Sequence, residues 1–363
     1  MPRALASSGR TLILFPKLAE AQREERIAAG EEPRREYLEL ARRIQADILD
    51  YGSVATTRLR SVRWARRLVG PRIALALLGF VHRNEYEQIY ATGEDVAIPL
   101  VPLLRLARVR RRLTVVVHHA GSRRKIWILR LLGHASYRSV IVLCAEQRRI
   151  LTEEIGIPAQ RVALLRLWCD RRFFHGQPPD QAEPGGYMLS VGMESRDYPT
   201  LLEAARGLPY PLRVVATGWS RSSGFRVAHG IEAGANVTVE HAVPATRLRQ
   251  LYAGCRVAVV PLQRVSYAAG VTAIVEAMSM GKPVVVSASP GIVDYVRDGV
   301  SGRLVPVDDA MAMRRAIAEL WEDREGAARM GAHNRAWVES EMSMDLFVER
   351  VARMLASGSA DGD

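Results

Sequence analysis

The stretch Tyr267-Ala-Ala-Gly-Val-Thr-Ala-Ile-Val-Glu-Ala-Met-Ser-Met-Gly-Lys-Pro-Val-Val-Val-Ser287 carries the clearest chemistry in this sequence. Its pattern reads as loop, helix, glycine stop and strand. Gly270 permits close backbone approach, and the amides of Val271, Thr272 and Ala273 open the helix without partners inside it. Unpaired amides at the positive end of a helix dipole suit a phosphate or diphosphate. Glu276 follows Thr272 by one turn on the same face, where a carboxylate can accept the hydroxyls of a ribose; a solvated surface glutamate is the other reading. A second candidate is the pair His118 and His119, which ends the apolar run Leu113 to Val117. Open α/β sheets bind ligands at the carboxyl ends of their strands, although a histidine there also serves as a plain structural hydrogen-bonder.

The elements that must position these residues alternate between short Val/Ile/Leu runs and helical patterns, as in βαβ units. Candidate strands are Thr11 to Phe15, Gln88 to Ala91, Leu113 to Val117, Val140 to Leu143 and Val162 to Leu165. Helical patterns run from Pro33 to Leu49, Val96 to Ala107, Lys125 to Leu132 and Glu146 to Ile155. A Gly/Pro-rich break covers 176–186, which reads as a linker. Strands resume at Tyr187 to Val191, Arg213 to Ala216, Val237 to Val239, Val257 to Pro261, Pro283 to Val286 and Arg303 to Val305, and the chain ends in three helical patterns. The expected organisation is α/β: a Rossmann-like acceptor domain over 1–175, a Rossmann-like donor domain over 187–340, and a C-terminal helix with a tail over 341–363 that crosses back toward the first domain.

At 363 residues, 48% hydrophobic and 25% charged, the chain is long enough for two such cores. The first apolar run, Leu12 to Pro16, is too short for a signal-peptide core, and Leu68 to Val81 contains Pro71 and Arg72 and falls short of the roughly 20 residues a membrane span needs. A cytoplasmic protein is expected, with peripheral association at the inner membrane face as an extension. Cys144, Cys169 and Cys255 have no metal-ligand spacing and read as reduced, buried side chains. Residues 1–175 hold 32 Arg or Lys against 17 Asp or Glu, while the remainder holds 19 against 22. That asymmetry suits an acidic acceptor or an anionic membrane on the first half, and equally a solvated arginine-rich surface. No RNP-like strand or recognition helix accompanies the charge, so no nucleic-acid partner is expected.

The order Glu276-Ala-Met-Ser-Met-Gly-Lys-Pro-Val-Val, followed by Pro290-Gly-Ile-Val-Asp-Tyr-Val-Arg-Asp-Gly-Val-Ser-Gly-Arg-Leu-Val-Pro306, resembles the family 4 retaining glycosyltransferases, or glycosyl transferases group 1. Leu189-Ser-Val-Gly-Met-Glu-Ser-Arg-Asp-Tyr-Pro-Thr-Leu-Leu-Glu-Ala204 is similar to that family's opening strand, glycine turn and basic diphosphate clamp, with Gly192 in the turn and Arg196 where the family has a lysine. Weaker matches are Ala216-Thr-Gly218 and Asn236 to Val243, the latter including His241, where the family places its nucleobase pocket. The resemblance covers residues 88 to 358, more loosely in the first half. It implies the GT-B fold, with two Rossmann-like parallel-sheet domains facing across a cleft.

The same resemblance implies a donor site of Gly192, Arg196, Gly218, His241, Val243, Gly270, Val271, Thr272 and Glu276, with Glu276 on the ribose. Arg196 would share the catalytic work with His118 or His119, one of which would face the donor sugar. Three positions depart from the family: Ala268 stands where a glutamate is usual, Met193 where an arginine is usual, and Phe15 to Glu20 replaces a glycine-rich turn. Lys17 in that turn is either a phosphate or acceptor contact or a surface lysine. The activity implied is transfer of a sugar from a nucleoside-diphosphate-sugar to the hydroxyl of a small molecule, lipid or glycan, with retention. No cofactor or metal is called for. A sugar-nucleotide epimerase of the same fold and a non-catalytic nucleotide-sugar-binding relative are the alternatives.

Overall fold

Apolar runs of four to six residues are too brief for helices, and when hydrophobic on both faces they pair as parallel strands covered by helices. The computed structural model describes residues 10–20, 22–119, 128, 130, 134–176, 185–216, 236–241 and 243–357. Within them the chain forms two units: one comprises residues up to 25, 34–166 and those from 345 onward, the other 26–33 and 167–344.

The first unit holds a six-stranded sheet of β1 (Thr11–Leu14), β2 (Asp47–Leu49), β3 (Gln88–Ala91), β4 (Leu113–Val117), β5 (Tyr137–Val142) and β6 (Val162–Leu164). Its order is β2-β1-β3-β4-β5-β6, all parallel. Leu12, Ile89, Val115 and Val140 from the strands pack with Leu75, Leu78, Leu100 and Leu104 from the helices Pro71–Val81 and Glu94–Leu106. Strand β2 differs from the helix expected through Leu49. Helix Glu36–Ile44 stops because Gln45 adopts φ 54°, which turns the chain back for three residues of pairing beside β1. The pattern expected over Lys125 to Leu132 lies mostly outside the described residues.

The second unit repeats the plan with β7 (Tyr187–Val191), β8 (Leu212–Ala216), β9 (Val237–His241), β10 (Cys255–Val260), β11 (Val284–Ser287) and β12 (Gly302–Val305), parallel in the order β12-β11-β10-β7-β8-β9. Met188, Val214, Val257 and Val285 meet Leu201, Met313 and Ile317 in its core. This unit takes in the chain from Leu167, ahead of the Gly/Pro-rich segment expected as the linker, of which 177–184 lie outside the described residues. The reason is packing: Phe174 meets Tyr252 edge-on at 6.1 Å, Ser279 Oγ donates to its carbonyl at 2.6 Å, and Arg249 covers the Phe173 ring.

After helix Arg324–Glu341 the chain leaves this unit along helix Met344–Ser357, whose residues from 345 belong to the first unit. There Gln88 Nε2 donates to the Leu355 carbonyl at 3.1 Å and Arg34 pairs with Asp345 at 2.8 Å. All three cysteines are free and buried. Among the described residues no helix is long and apolar enough to cross a membrane.

Gly331 tests how helix Arg324–Glu341 is seated, because a Cβ there would collide with the Gly281 carbonyl. In an open helix Gly→Ala stabilises by about 1 kcal/mol. Here Gly331→Ala should destabilise by about 1–3 kcal/mol through overpacking. A urea midpoint equal to or above that of the wild type would show the contact to be absent.

Candidate functional site

Strand order reverses between β10 and β7, so the loops leaving their carboxyl ends diverge and open a crevice in the second unit. The two loops are nevertheless stitched together at their bases. Arg196 bridges to Leu262, Asp197 N donates to the Pro261 carbonyl at 3.1 Å, and Gln263 N donates to Ser195 O at 3.0 Å. Two buried serines at and just after the end of β11 hold the second loop: Ser287 Oγ accepts from Leu262 N at 3.0 Å and Ser289 Oγ from Val265 N at 2.8 Å. Tyr267 on that loop meets Ser195 Oγ at 2.7 Å and donates to Glu194 at 3.1 Å.

Arg196 lies between the loops. Its Nε and Nη2 donate to the Val191 carbonyl at 3.0 and 2.8 Å, and its Nη1 donates to Glu194 O at 2.9 Å. These bonds use three of the five guanidinium donors. Gly192 (φ +103°) and Gly270 (φ +79°) flank the group, and a Cβ would come within 2.6 Å of Nη2 at the first and 3.0 Å of Nη1 at the second. Both glycines are therefore needed for backbone conformation and for space. Burial pulls the Arg196 guanidinium below its usual pKa, while Tyr198, Tyr252, Glu194 and Tyr267 act the other way. Among the described residues no carboxylate comes within ion-pair distance of it. The result is a half-buried cation held by carbonyl dipoles and lacking a counter-ion.

Helix Val271–Ser279 begins beside that cation. Gly270 is its N-cap and no side chain caps it. The first-turn amides thus present partial positive charge toward the Arg196 side of Gly270. One turn on, Glu276 is half-buried and accepts a hydrogen bond from Tyr252 Oη at 3.1 Å. Burial, then the charge of Glu276, push the Tyr252 hydroxyl well above its ordinary pKa, so it remains a donor. Thr272 is exposed and Val271 fully buried. His241 is exposed at the end of β9, two strands from β7, and Val243 is half-buried after it. Neither is brought into contact with Arg196, and Gly218 lies outside the described residues.

At the end of β4 the first unit satisfies its own backbone amides with side chains. His118 and His119 follow β4, and their backbone amides both donate to the buried Glu94, at 2.9 Å to Oε2 and 3.0 Å to Oε1. Gln147 completes the hold, with Nε2 donating to the carbonyls of Val117 at 3.2 Å and His118 at 2.7 Å while its Oε1 accepts from Leu143 N at 3.0 Å. His118 Nε2 donates to the Thr92 carbonyl at 3.0 Å, which fixes the orientation of the ring. His119 instead lines a small pocket with Ala97, Ile98, Val115 and Leu151.

Around His118, at the carboxyl edge of the sheet, stands Glu36. Burial pushes its carboxyl up; its own backbone hydrogen bond and the charges of Arg35, His118 and Lys17 oppose that. Glu36, Glu94, Gln147 and Tyr252 carried no sequence signal. Each acts through a partner distant in the chain.

Residues 185–337 match the family model described as glycosyl transferases group 1. Over 157 residues the chain is 33% identical to a D-inositol 3-phosphate glycosyltransferase of Thermobifida fusca (strain YX), which takes in 40% of this chain and 35% of that relative's length. Two solved structures extend the likeness over both units. One is sucrose-phosphate synthase from Thermosynechococcus elongatus, with a TM-score of 0.71, 16% identity, and 95% of this chain and 98% of that chain covered. The other is HepE of Anabaena in complex with UDP and glucose, with a TM-score of 0.72, 17% identity, and coverage of 96% and 99%. At such identities the likeness is one of fold: two Rossmann-like units with parallel six-stranded sheets, as in GT-B proteins.

Glu94→Gln keeps the side chain's size but replaces one of the two acceptors by an amide donor facing an N–H. Losing one charged, buried hydrogen bond should cost about 1.5–3 kcal/mol. The melting temperature should fall by several degrees, as measured by circular dichroism. Equal melting temperatures would mean that the strand end is held by something other than this carboxylate.

Proposed function

We propose that this chain, whose residues 185–337 match the model of the glycosyl transferases group 1 family, transfers a sugar from a nucleoside-diphosphate-sugar to an acceptor hydroxyl. The observation that carries the proposal is the half-buried Arg196, without a carboxylate partner, beside an uncapped helix start. A diphosphate supplies the missing anion. Its two phosphates suit the guanidinium's remaining donors on one side and the amides of Val271 to Ala273 on the other.

As the anomeric carbon–oxygen bond breaks, the electron pair passes to the diphosphate. Charge develops where Arg196 and the amides already point, which lowers the barrier without reorganisation. The acceptor hydroxyl forms the new bond to the anomeric carbon, and a phosphate oxygen of the leaving group takes its proton, so the configuration is retained. Glu276, fixed by Tyr252, holds the ribose hydroxyls. This reading assigns charge neutralisation to the chain itself and requires no resident cofactor or metal.

A UDP-sugar is the first donor to try, since the structurally similar HepE binds UDP and glucose. A nucleotide sugar present at 100 times its dissociation constant should stabilise the protein by about 2.7 kcal/mol. Arg196→Ala and Glu276→Ala should each weaken that donor at least ten-fold, since a charged hydrogen bond is worth about 1.5–3 kcal/mol. No thermal shift with any of a panel of UDP-, GDP- and ADP-sugars would overturn the proposal. Ala268 and Met193, which remove two side chains usual in the family, favour one competing outcome: donor binding with no turnover for any acceptor, the signature of a nucleotide-sugar-binding relative.

A further inference from the structure

Helix Arg60–Val69, in the first unit, reads Arg-Ser-Val-Arg-Trp-Ala-Arg-Arg-Leu-Val. Its inner face is used: Val62 is fully buried, and Ala65 packs against the same core. A helix bordering only water would be polar on the rest of its surface. This one is not, because Trp64 is 61% exposed, Leu68 73% and Val69 53%, and Ile73, at the start of helix Pro71–Val81, is 41% exposed. Four of the ten large apolar side chains exposed among the described residues thus fall within ten residues of chain. Trp64 and Leu68, four apart, make one stripe.

Arginines surround the stripe. Arg58, Arg60, Arg63, Arg66 and Arg67 are all exposed, and among the described residues none has a carboxylate within ion-pair distance. Arg72 reaches Asp95, at 3.7 Å. A protein partner's apolar surface would strip water from these cations without neutralising them. The headgroup layer of an acidic membrane answers both demands. Its phosphates and carboxylates take the guanidinium groups, and the acyl boundary below takes an indole and a leucine.

We propose that the first unit docks on an anionic lipid surface through helix Arg60–Val69 and the turn into Pro71–Val81, with Trp64 and Leu68 inserted and the arginines at headgroup level. At ten residues the helix is about 15 Å long. It therefore lies in the interface and does not span it. The proposal stands apart from sugar transfer.

The test is co-sedimentation of the full chain with vesicles of phosphatidylglycerol and phosphatidylcholine, against phosphatidylcholine alone. Binding should require the acidic lipid and drop sharply at about 1 M salt, where the screening length is about 3 Å. The double variant Trp64→Ser/Leu68→Ser should lose at least ten-fold in vesicle affinity, and the triple variant Arg63→Glu/Arg66→Glu/Arg67→Glu should do the same with the indole in place. Melting temperatures matching the wild type would show both variants folded. Wild-type protein left in the supernatant with acidic vesicles, or variants that bind them as well as wild type, would overturn the proposal. So would a concentration-dependent dimer, lost in the double variant, that forms without any vesicle binding.

Discussion

A guanidinium withdrawn from water must be met by hydrogen bonds or by an anion, at a cost of several kcal/mol if it is not. Around Arg196 the described residues of the second unit supply the first, and none of their carboxylates comes within ion-pair distance. Much of the local geometry follows from that. Gly192 and Gly270 yield the space that side chains would occupy, the Tyr198 hydroxyl fixes the Gly192 carbonyl, and Ser287 and Ser289 anchor the opposite loop from below. The cation is thereby set in place before any ligand arrives. That arrangement gives electrostatic catalysis its advantage over water, whose dipoles must reorient.

The two units treat the same problem in opposite ways. Strand ends and helix starts expose backbone amides at the carboxyl edge of any parallel sheet. After β4 the chain meets its own amides with Glu94 and its carbonyls with Gln147, a closed polar network that fixes His118 rigidly. After β10 it leaves the helix beginning at Val271 without a side-chain cap. An uncapped helix start beside a buried cation therefore belongs to the second unit, and a firmly oriented imidazole to the first.

Sequence pattern conveyed the sheets because their strands are buried on both faces and so read as unbroken Val/Ile/Leu runs; β4, β7 and β11 are legible for that reason. Strand β2 was hidden by brevity. Only three residues long, it continues an apolar rhythm set by the helix before it, and its existence turns on the left-handed Gln45, a residue with no special claim to that conformation. Helix Arg60–Val69 was missed although its pattern is amphipathic, with Val62 buried and its arginines exposed. Gly270 and Glu276 were visible since a helix start and a one-turn spacing are local facts. Glu94 was not, because its partners His118 and His119 lie 24 and 25 residues away, and nothing in a single chain marks a carboxylate that will fold onto distant amides.

The return of residues 345–357 to the unit begun at the other end of the chain sets the order in which that unit can be finished. Gln88 and Arg138 both donate to the Leu355 carbonyl, so the lower rim of the first sheet waits for a residue made 267 and 217 positions after them. At a synthesis rate of about 5–20 residues per second, the unit whose first strand leaves the ribosome earliest stays incomplete for roughly 15–70 s, while the intervening unit can close on its own. A nascent chain stalled at residue 345 should therefore carry a finished second unit and an unfinished first.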